Sequence, residues 1–347
     1  MGRKVLPLIG KIGIEFFEQV IRSNLGARDE SVMVGPMIGV DAAVIDLGDG
    51  RVMVVKTDPT FGLPVLLDYL GFAIVHIVAS DVAVMGIPPR YMSICLLIPP
   101  GFDPDVLEKV WRQLSDEAKK LGIAIVGGHT GVYPGISYLL NGGATIIGIG
   151  DKKRLVTPMG AKPGDLILIT KGAAIEAAAV LAIQYPEPIE RAYGSDVLRK
   201  AQELIWDMTV VKDALIAAEV GGVTAMHDAT EGGVYNAIWE IAHASGVGVR
   251  VYEEKIPVLP EVEAVCDLFK IDPMISISEG TLIATVRPDR AEDIMEAWRR
   301  EGIESAIIGE VTKPKEGRVL IRKDGSKVEL KPVPKDPFWE AYFRGVR

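Results

Sequence analysis

Apolar positions change period several times along the chain, and each period predicts an element. Ile14, Phe17, Val20, Ile21 and Leu25 recur at helical spacing, which predicts an amphipathic helix over residues 13–25. Residues 40–45 and 51–57 are strand-like runs joined by Asp46-Leu47-Gly48-Asp49-Gly50, a strong hairpin signal. Residues 69–86 read as a helix of small and apolar residues, stopped by Gly86 and Pro88. A strand follows at 91–99, then an amphipathic helix at 104–121 with Val106, Leu107, Val110, Leu114 and Ala118 inward. A short buried strand at 123–126 and a strand at 144–150 complete the first half.

The second half opens with the turn Pro163-Gly164-Asp165 before a strand at 166–170. Helices are expected at 173–184, 209–219 and 290–301. A strand at 225–228 leads through Thr230-Glu231-Gly232-Gly233 into a helix reaching His243, with Thr230 as its cap. Further strands are expected at 247–252, 281–286 and 318–322. Strands and helices alternate in both halves, so the expected class is α+β in two layers, divided into domains 1–156 and 157–347.

Composition narrows the function. Hydrophobic residues make up 48% and charged residues 24% of 347, enough apolar material for ordinary cores. A net charge of -9 argues against a nucleic-acid surface. Cys95 and Cys266 lie far apart in apolar surroundings and read as free thiols in a reducing compartment. No apolar run reaches the ~20 residues of a membrane span, and Lys11 interrupts the run after Arg3 and Lys4. The expectation is a soluble, cytoplasmic protein.

Candidate chemistry sits in four short stretches: Gly39-Val40-Asp41-Ala42-Ala43, Lys56-Thr57-Asp58, Ser80-Asp81-Val82 and Gly127-Gly128-His129-Thr130. In each, the polar residue is flanked by small or apolar neighbours, and a carboxylate so placed is costly to bury without a partner. An arginine or a helix N-terminus is the plain partner; a metal ion on a nucleotide is the other. Asp41 opens one hairpin strand and Asp58 follows the end of the other, so the two carboxylates meet in an antiparallel pair. Magnesium takes oxygen ligands, often one or two carboxylates with phosphate and water, and three separate carboxylates suit it. Zinc is disfavoured, because no histidines or cysteines share a short spacing. Neither a P-loop nor a dinucleotide fingerprint occurs, so Gly127-Gly128 and Gly232-Gly233 are the candidate phosphate-binding amides.

These stretches, followed by Lys162-Pro163-Gly164-Asp165 through Gly172 and by Met226-His227-Asp228-Ala229-Thr230-Glu231-Gly232-Gly233, resemble the PurM-like ATP-binding superfamily, named for aminoimidazole ribonucleotide (AIR) synthase. The likeness runs from about residue 35 to about residue 285 and is strongest to the HypE-like branch, which carries Gly-Gly-His-Thr. The resemblance implies a two-domain fold, with an N-terminal domain forming a dimeric β-barrel flanked by helices and a C-terminal α/β sandwich. It implies ATP and magnesium as cofactors, with Asp41, Asp58 and Asp81 as metal ligands. It assigns Gly127, Gly128, Thr130, Thr230, Glu231, Gly232 and Gly233 to nucleotide or substrate binding. His227, Asp228 and His129 are the catalytic candidates, acting on a small-molecule or peptide acceptor. Two departures stand out: Val40 and His129 replace acids common in the family. The cysteine that HypE carries at its C-terminus has no counterpart after Cys266, which argues against the standard carrier chemistry. A nucleotide-binding scaffold without turnover, a thiamine-monophosphate-kinase-like enzyme and a metal-dependent phosphatase are the alternatives.

Overall fold

A computed structural model of the chain describes residues 6, 7, 9–136 and 139–346. Arg3, Lys4 and Arg347 lie outside the described residues. Helix α1 (Ile14–Phe16) runs on as a π-helical turn and a 3-10 turn through Asn24. The expected amphipathic helix over 13–25 is therefore only partly α-helical, and its apolar face is only partly covered: Phe17 and Val20 are half-buried, while Ile14, Ile21 and Leu25 are exposed.

The first sheet contains β1 (Val32–Val34), β2 (Ala43–Asp46), β3 (Arg51–Gly62), β4 (Pro89–Ile98), β5 (Ala124–Val132) and β6 (Leu139–Asp151). Their order is β1-β2-β3-β6-β4-β5, antiparallel except for the β4–β5 pair. The β2–β3 hairpin forms as expected: the Gly48 amide donates to Asp46 Oδ1, and Gly48 and Gly50 adopt positive φ. The sheet is open, with β1 and β5 as its edges, and closes no barrel among the described residues. Strand β5 also corrects the expectation of a short buried strand at 123–126. It is nine residues long, carries Gly127-Gly128-His129-Thr130 within it, and is largely exposed because no further strand covers its outer side.

Two helices complete this half, α2 (Leu70–Ala83) and α3 (Pro104–Lys120). Helix α2 is buried on almost every side, which is why its sequence is apolar all round rather than striped. A side chain at Gly71 would meet the Leu114 backbone nitrogen at 2.5 Å, so glycine is what lets α2 cross α3 closely.

The second sheet contains β7 (Leu166–Thr170), β8 (Val223–Asp228), β9 (Gly248–Tyr252), β10 (Leu282–Val286), β11 (Ser305–Thr312), β12 (Arg318–Ile321) and β13 (Lys327–Glu329). Their order is β13-β12-β9-β11-β7-β10-β8, with only β12–β9 parallel. Around it pack α4 (Ile175–Gln184), α5 (Pro186–Tyr193), α6 (Ser195–Glu203), α7 (Val211–Val220), α8 (Gly233–Ala244), α9 (Pro260–Phe269), α10 (Ala291–Arg300) and α11 (Pro337–Arg344). One core joins the two halves: Val44, Val78 and Val82 from the first share a buried cluster with Leu168, Met226 and Leu282 from the second. The α+β class is as expected, and the cleft that matters lies where α2 and β3 face β8 and α8.

Candidate functional site

Four local decisions of the chain bring acids into this cleft. Gly39 has φ +74, and a Cβ there would sit 2.9 Å from Glu240 on α8. Without a side chain, the loop presses against the second half and carries Asp41 with it. Strand β3 supplies Lys56 and Asp58 from positions i and i+2, which share a face of the strand. Helix α2 supplies Asp81, buried to 4% exposure. The end of β8 supplies His227 and Asp228, also buried.

Two cations organise these groups. Lys56 Nζ lies 2.8 Å from Asp81 Oδ1 and 3.3 Å from Asp58 Oδ1. Burial would lower the Lys56 pKa, but Asp81, Asp58 and Asp41 together hold it above the ordinary lysine range. His227 spans the halves: Nδ1 sits 2.8 Å from Asp41 Oδ1, and Nε2 sits 2.7 Å from Glu240 Oε2. Burial would push its imidazole down, but Asp41, Asp228 and Glu240 raise it well above the usual value. His227 is thus an imidazolium with both nitrogens committed to carboxylates.

The acids outnumber these cations. Burial raises the Asp81 carboxyl well above its normal range, and Asp228, Asp58 and Asp41 add to the effect. Burial likewise raises Asp41 against the pull of His227. Asp228 is opposed by burial but held below the usual carboxylate value by His227. Its two oxygens accept no hydrogen bond among the described residues, and His227 Nδ1 stands 3.5 Å from Oδ1. Carboxylate oxygens of Asp41 and Asp228 and a ring nitrogen of His227 lie within 4.8 Å of one another; with the ring protonated, the two carboxylates are the members of this group able to ligate a metal ion. A buried carboxylate with no close hydrogen bond, beside a surplus of acids, fits a hard divalent cation.

The sequence-selected residues do not all join this cluster. Asp41, Asp58, Asp81, His227 and Asp228 do, although Asp41 sides with His227 while Asp58 and Asp81 share Lys56. His129 and Thr130 lie on the exposed strand β5, where His129 Nε2 pairs with the Tyr133 hydroxyl at 2.7 Å. A Cβ on Gly128 would strike the Ile94 oxygen at 1.8 Å, so that glycine serves the contact between β5 and β4; Gly127 meets nothing. The second glycine pair opens α8 as expected, but its amides are already engaged. Gly232 N donates to Asp336 Oδ2 (2.8 Å), and Gly233 N donates to the Thr230 carbonyl (3.0 Å). Thr230 does not cap α8; the cap position is Gly232. Its hydroxyl instead accepts from Lys11 Nζ at 2.9 Å, while Glu231 accepts from the Lys11 amide and from Trp339 Nε1.

Several participants were missed from sequence: Lys56 as a hub, Lys11, Glu240, Glu176 and Glu279. Glu279 is buried, its Oε1 has no partner, and burial followed by repulsion from Asp228 and Glu176 raises its carboxyl well above normal. Its setting, Ser278-Glu279-Gly280, carries the same signal as the other acids: one charge among small residues.

Comparisons with known proteins define the family. Residues 39–149 match the family described as AIR synthase related protein, N-terminal domain, and residues 162–322 match its C-terminal domain. The chain belongs to the AIR synthase-related, PurM-like family. Within that family it is similar to HypE proteins. It is 30% identical to the carbamoyl dehydratase HypE of Cupriavidus necator over 290 residues, 79% of this chain and 77% of that protein. A putative hydrogenase expression/formation protein of Methanocaldococcus jannaschii is 28% identical over 330 residues, covering 93% and 95%. The HypE–HypF complex contains a chain of the same fold, with TM-score 0.73, 25% identity and coverage of 92% and 99%. HypE in complex with ATP shares the fold at TM-score 0.68 and 24% identity, covering 94% and 93%. Among the described residues, no helix is long and apolar enough to cross a membrane.

Proposed function

We propose that the chain is an ATP- and magnesium-dependent enzyme that activates a carbonyl, amide or similar oxygen of a small acceptor by phosphoryl transfer. The observation that carries this reading is the cleft cluster. Asp41, Asp58, Asp81 and Asp228 converge from both halves, with Asp228 buried and accepting no hydrogen bond. Asp41, Asp58 and Asp81 would hold magnesium, which when bound neutralises phosphate charge. Lys56, only partly covered, and Lys11 are the ammonium groups that phosphate oxygens would meet. The imidazolium of His227 acts as a positioning group, because both its nitrogens already hold carboxylates. In the transfer, the acceptor oxygen bonds to the γ-phosphorus and ADP leaves with the electrons of the broken P–O bond. Asp228, in contact with His227, is our candidate for taking a proton released by the acceptor.

Several observations support the rest of the reading. The two family matches meet between residues 149 and 162, which supports a domain division near residue 156. Val126 and Val132 are exposed on the unpaired edge β5, which supports a homodimer that continues the first sheet across two copies. Cys95 and Cys266 are free thiols, in keeping with a reducing compartment. A scaffold role without turnover is the second reading, favoured by the engaged amides at the start of α8. Calorimetric titration of ATP and AMP-PNP, with and without magnesium, separates nucleotide use from a bare fold. Magnesium-dependent binding is expected; no binding at millimolar nucleotide would overturn both readings.

A further inference from the structure

Beside the acid cluster lies a cavity of about 140 Å³ that the chemistry described so far does not use. It is bounded by both halves of the molecule. Leu63, Leu66 and Tyr69 close it from the first; Val180, Ile205 and Met208 close it from the second. The cavity is partly open to solvent, with Pro59 exposed at its edge, and an apolar cavity of similar volume accommodates benzene.

Among the described residues the wall carries two non-aromatic polar side chains, Thr60 and Glu176, with Tyr69 and Trp339 as its polar-tipped aromatics; the Trp339 N–H is already given to Glu231. Thr60 Oγ1 is buried and has no hydrogen-bond partner among the described residues. Glu176 gives Oε2 to the Glu279 amide at 3.0 Å, and its Oε1 has no partner among the described residues. The Thr60 hydroxyl is covered by protein on the side of Gly142, so Glu176 is the group with hydrogen-bonding capacity left over at the cavity. Thr60 follows Asp58 by two residues on β3, so the polar wall begins about 7 Å along the strand from the cluster. Through Glu279, Glu176 leads toward the same acids.

We propose that this cavity is the acceptor site, and that it takes a small uncharged molecule with an apolar body and one hydrogen-bonding head directed at Glu176. Its role as an acceptor site rests on the phosphoryl-transfer reading above; its selectivity does not. An anionic head would enter carbon-lined space beside a carboxyl group with no cation on the wall, so charge selects against it. Burial raises the Glu176 carboxyl to about 7, so near neutrality much of it is a hydrogen-bond donor to a carbonyl oxygen.

Benzamide and benzoate, equal in shape and different in charge, test the assignment. Benzamide is titrated into the full chain while the methyl signals of Ile74, Leu66 and Val180 are followed by NMR. The expected result is saturable benzamide binding that shifts these methyls, with benzoate at least tenfold weaker. The Ala73→Phe substitution, which fills the cavity from α2, is expected to weaken benzamide at least tenfold. If that variant does not fold, the wild-type methyl map and the benzoate comparison decide the question without it. Absence of benzamide binding, shifts confined to other methyls, or equal affinity for benzoate would overturn the proposal. Magnesium-ATP is titrated into the same wild-type sample. Benzamide binding without ATP binding would refute the acceptor role and leave the cavity as a ligand site. ATP binding without benzamide binding would refute the cavity alone.

Discussion

Lys56 and His227 are both cations held among carboxylates, yet they stand in different relations to the fold. Lys56 gathers Asp58 and Asp81 from within the first half, and about a fifth of its side chain is exposed. His227 is almost wholly buried and joins Asp41 of one half to Glu240 of the other. Lys56 ends in a flexible ammonium that a stronger cation could replace by competing for the same oxygens. His227 offers no such exchange, because its two nitrogens face opposite ways and both are engaged. One hub is suited to yield to a ligand; the other fastens the cleft that the ligand enters.

The strongest break of this contrast is His227→Ala. It leaves buried carboxylates without their cation, a loss that typically costs about 3–5 kcal/mol. Thermal unfolding is expected to fall by many degrees; a variant as stable as wild type would show that His227 fastens nothing.

A carboxyl outside both hubs sharpens the comparison. Glu176 has its folded-state pKa raised to about 7 by burial, above the ordinary 4.5. The folded chain therefore binds more protons than the unfolded one between these values, and stability declines as pH rises through about 7. Converted at 1.36 kcal/mol per pKa unit, the decline reaches at most about 3 kcal/mol. Glu176→Gln is expected to gain stability relative to wild type between pH 5 and pH 8, by a few degrees in Tm. Parallel curves for the two proteins would contradict that burial effect.

Asp58→Asn addresses the replaceable hub. Magnesium-dependent ATP binding is expected to weaken at least tenfold, about 1.4 kcal/mol, with little change in Tm. Unaltered affinity would place the nucleotide elsewhere. The smallest effect is expected for His129→Ala, with ATP affinity within twofold of wild type, since His129 pairs only with Tyr133 on an exposed strand. A tenfold loss there would tie β5 to the nucleotide site.

Much of this architecture was readable in the chain. The β2–β3 hairpin, α2, α3 and the α8 turn sit where turn residues and apolar period placed them, because local rules govern such elements. The acids Asp41, Asp58 and Asp81 could be chosen because each stands alone among small residues. What sequence could not supply was pairing across the halves. Nothing near Glu240 in sequence shows that it faces His227, and Lys11 meets Thr230 and Glu231 more than two hundred residues away. The glycine pairs show the same limit from the other side. Gly127-Gly128 and Gly232-Gly233 look alike in sequence, but one lies in an exposed strand and the other opens a helix already capped by Asp336. Several elements of the second half, including β11, β13 and α11, lacked a clear periodic signal and were not anticipated.

Gly39 has a consequence for anyone who would take the molecule apart. The loop that carries Asp41 is seated on the surface of α8, at a separation too small for even one methyl group. The working position of an acid in the first half is thus gauged against a helix of the second. Were the two halves produced as separate polypeptides, the first would have lost the template that seats Asp41. A fragment containing all three of the first half's acids would be a poor proxy for the site, however well it folded.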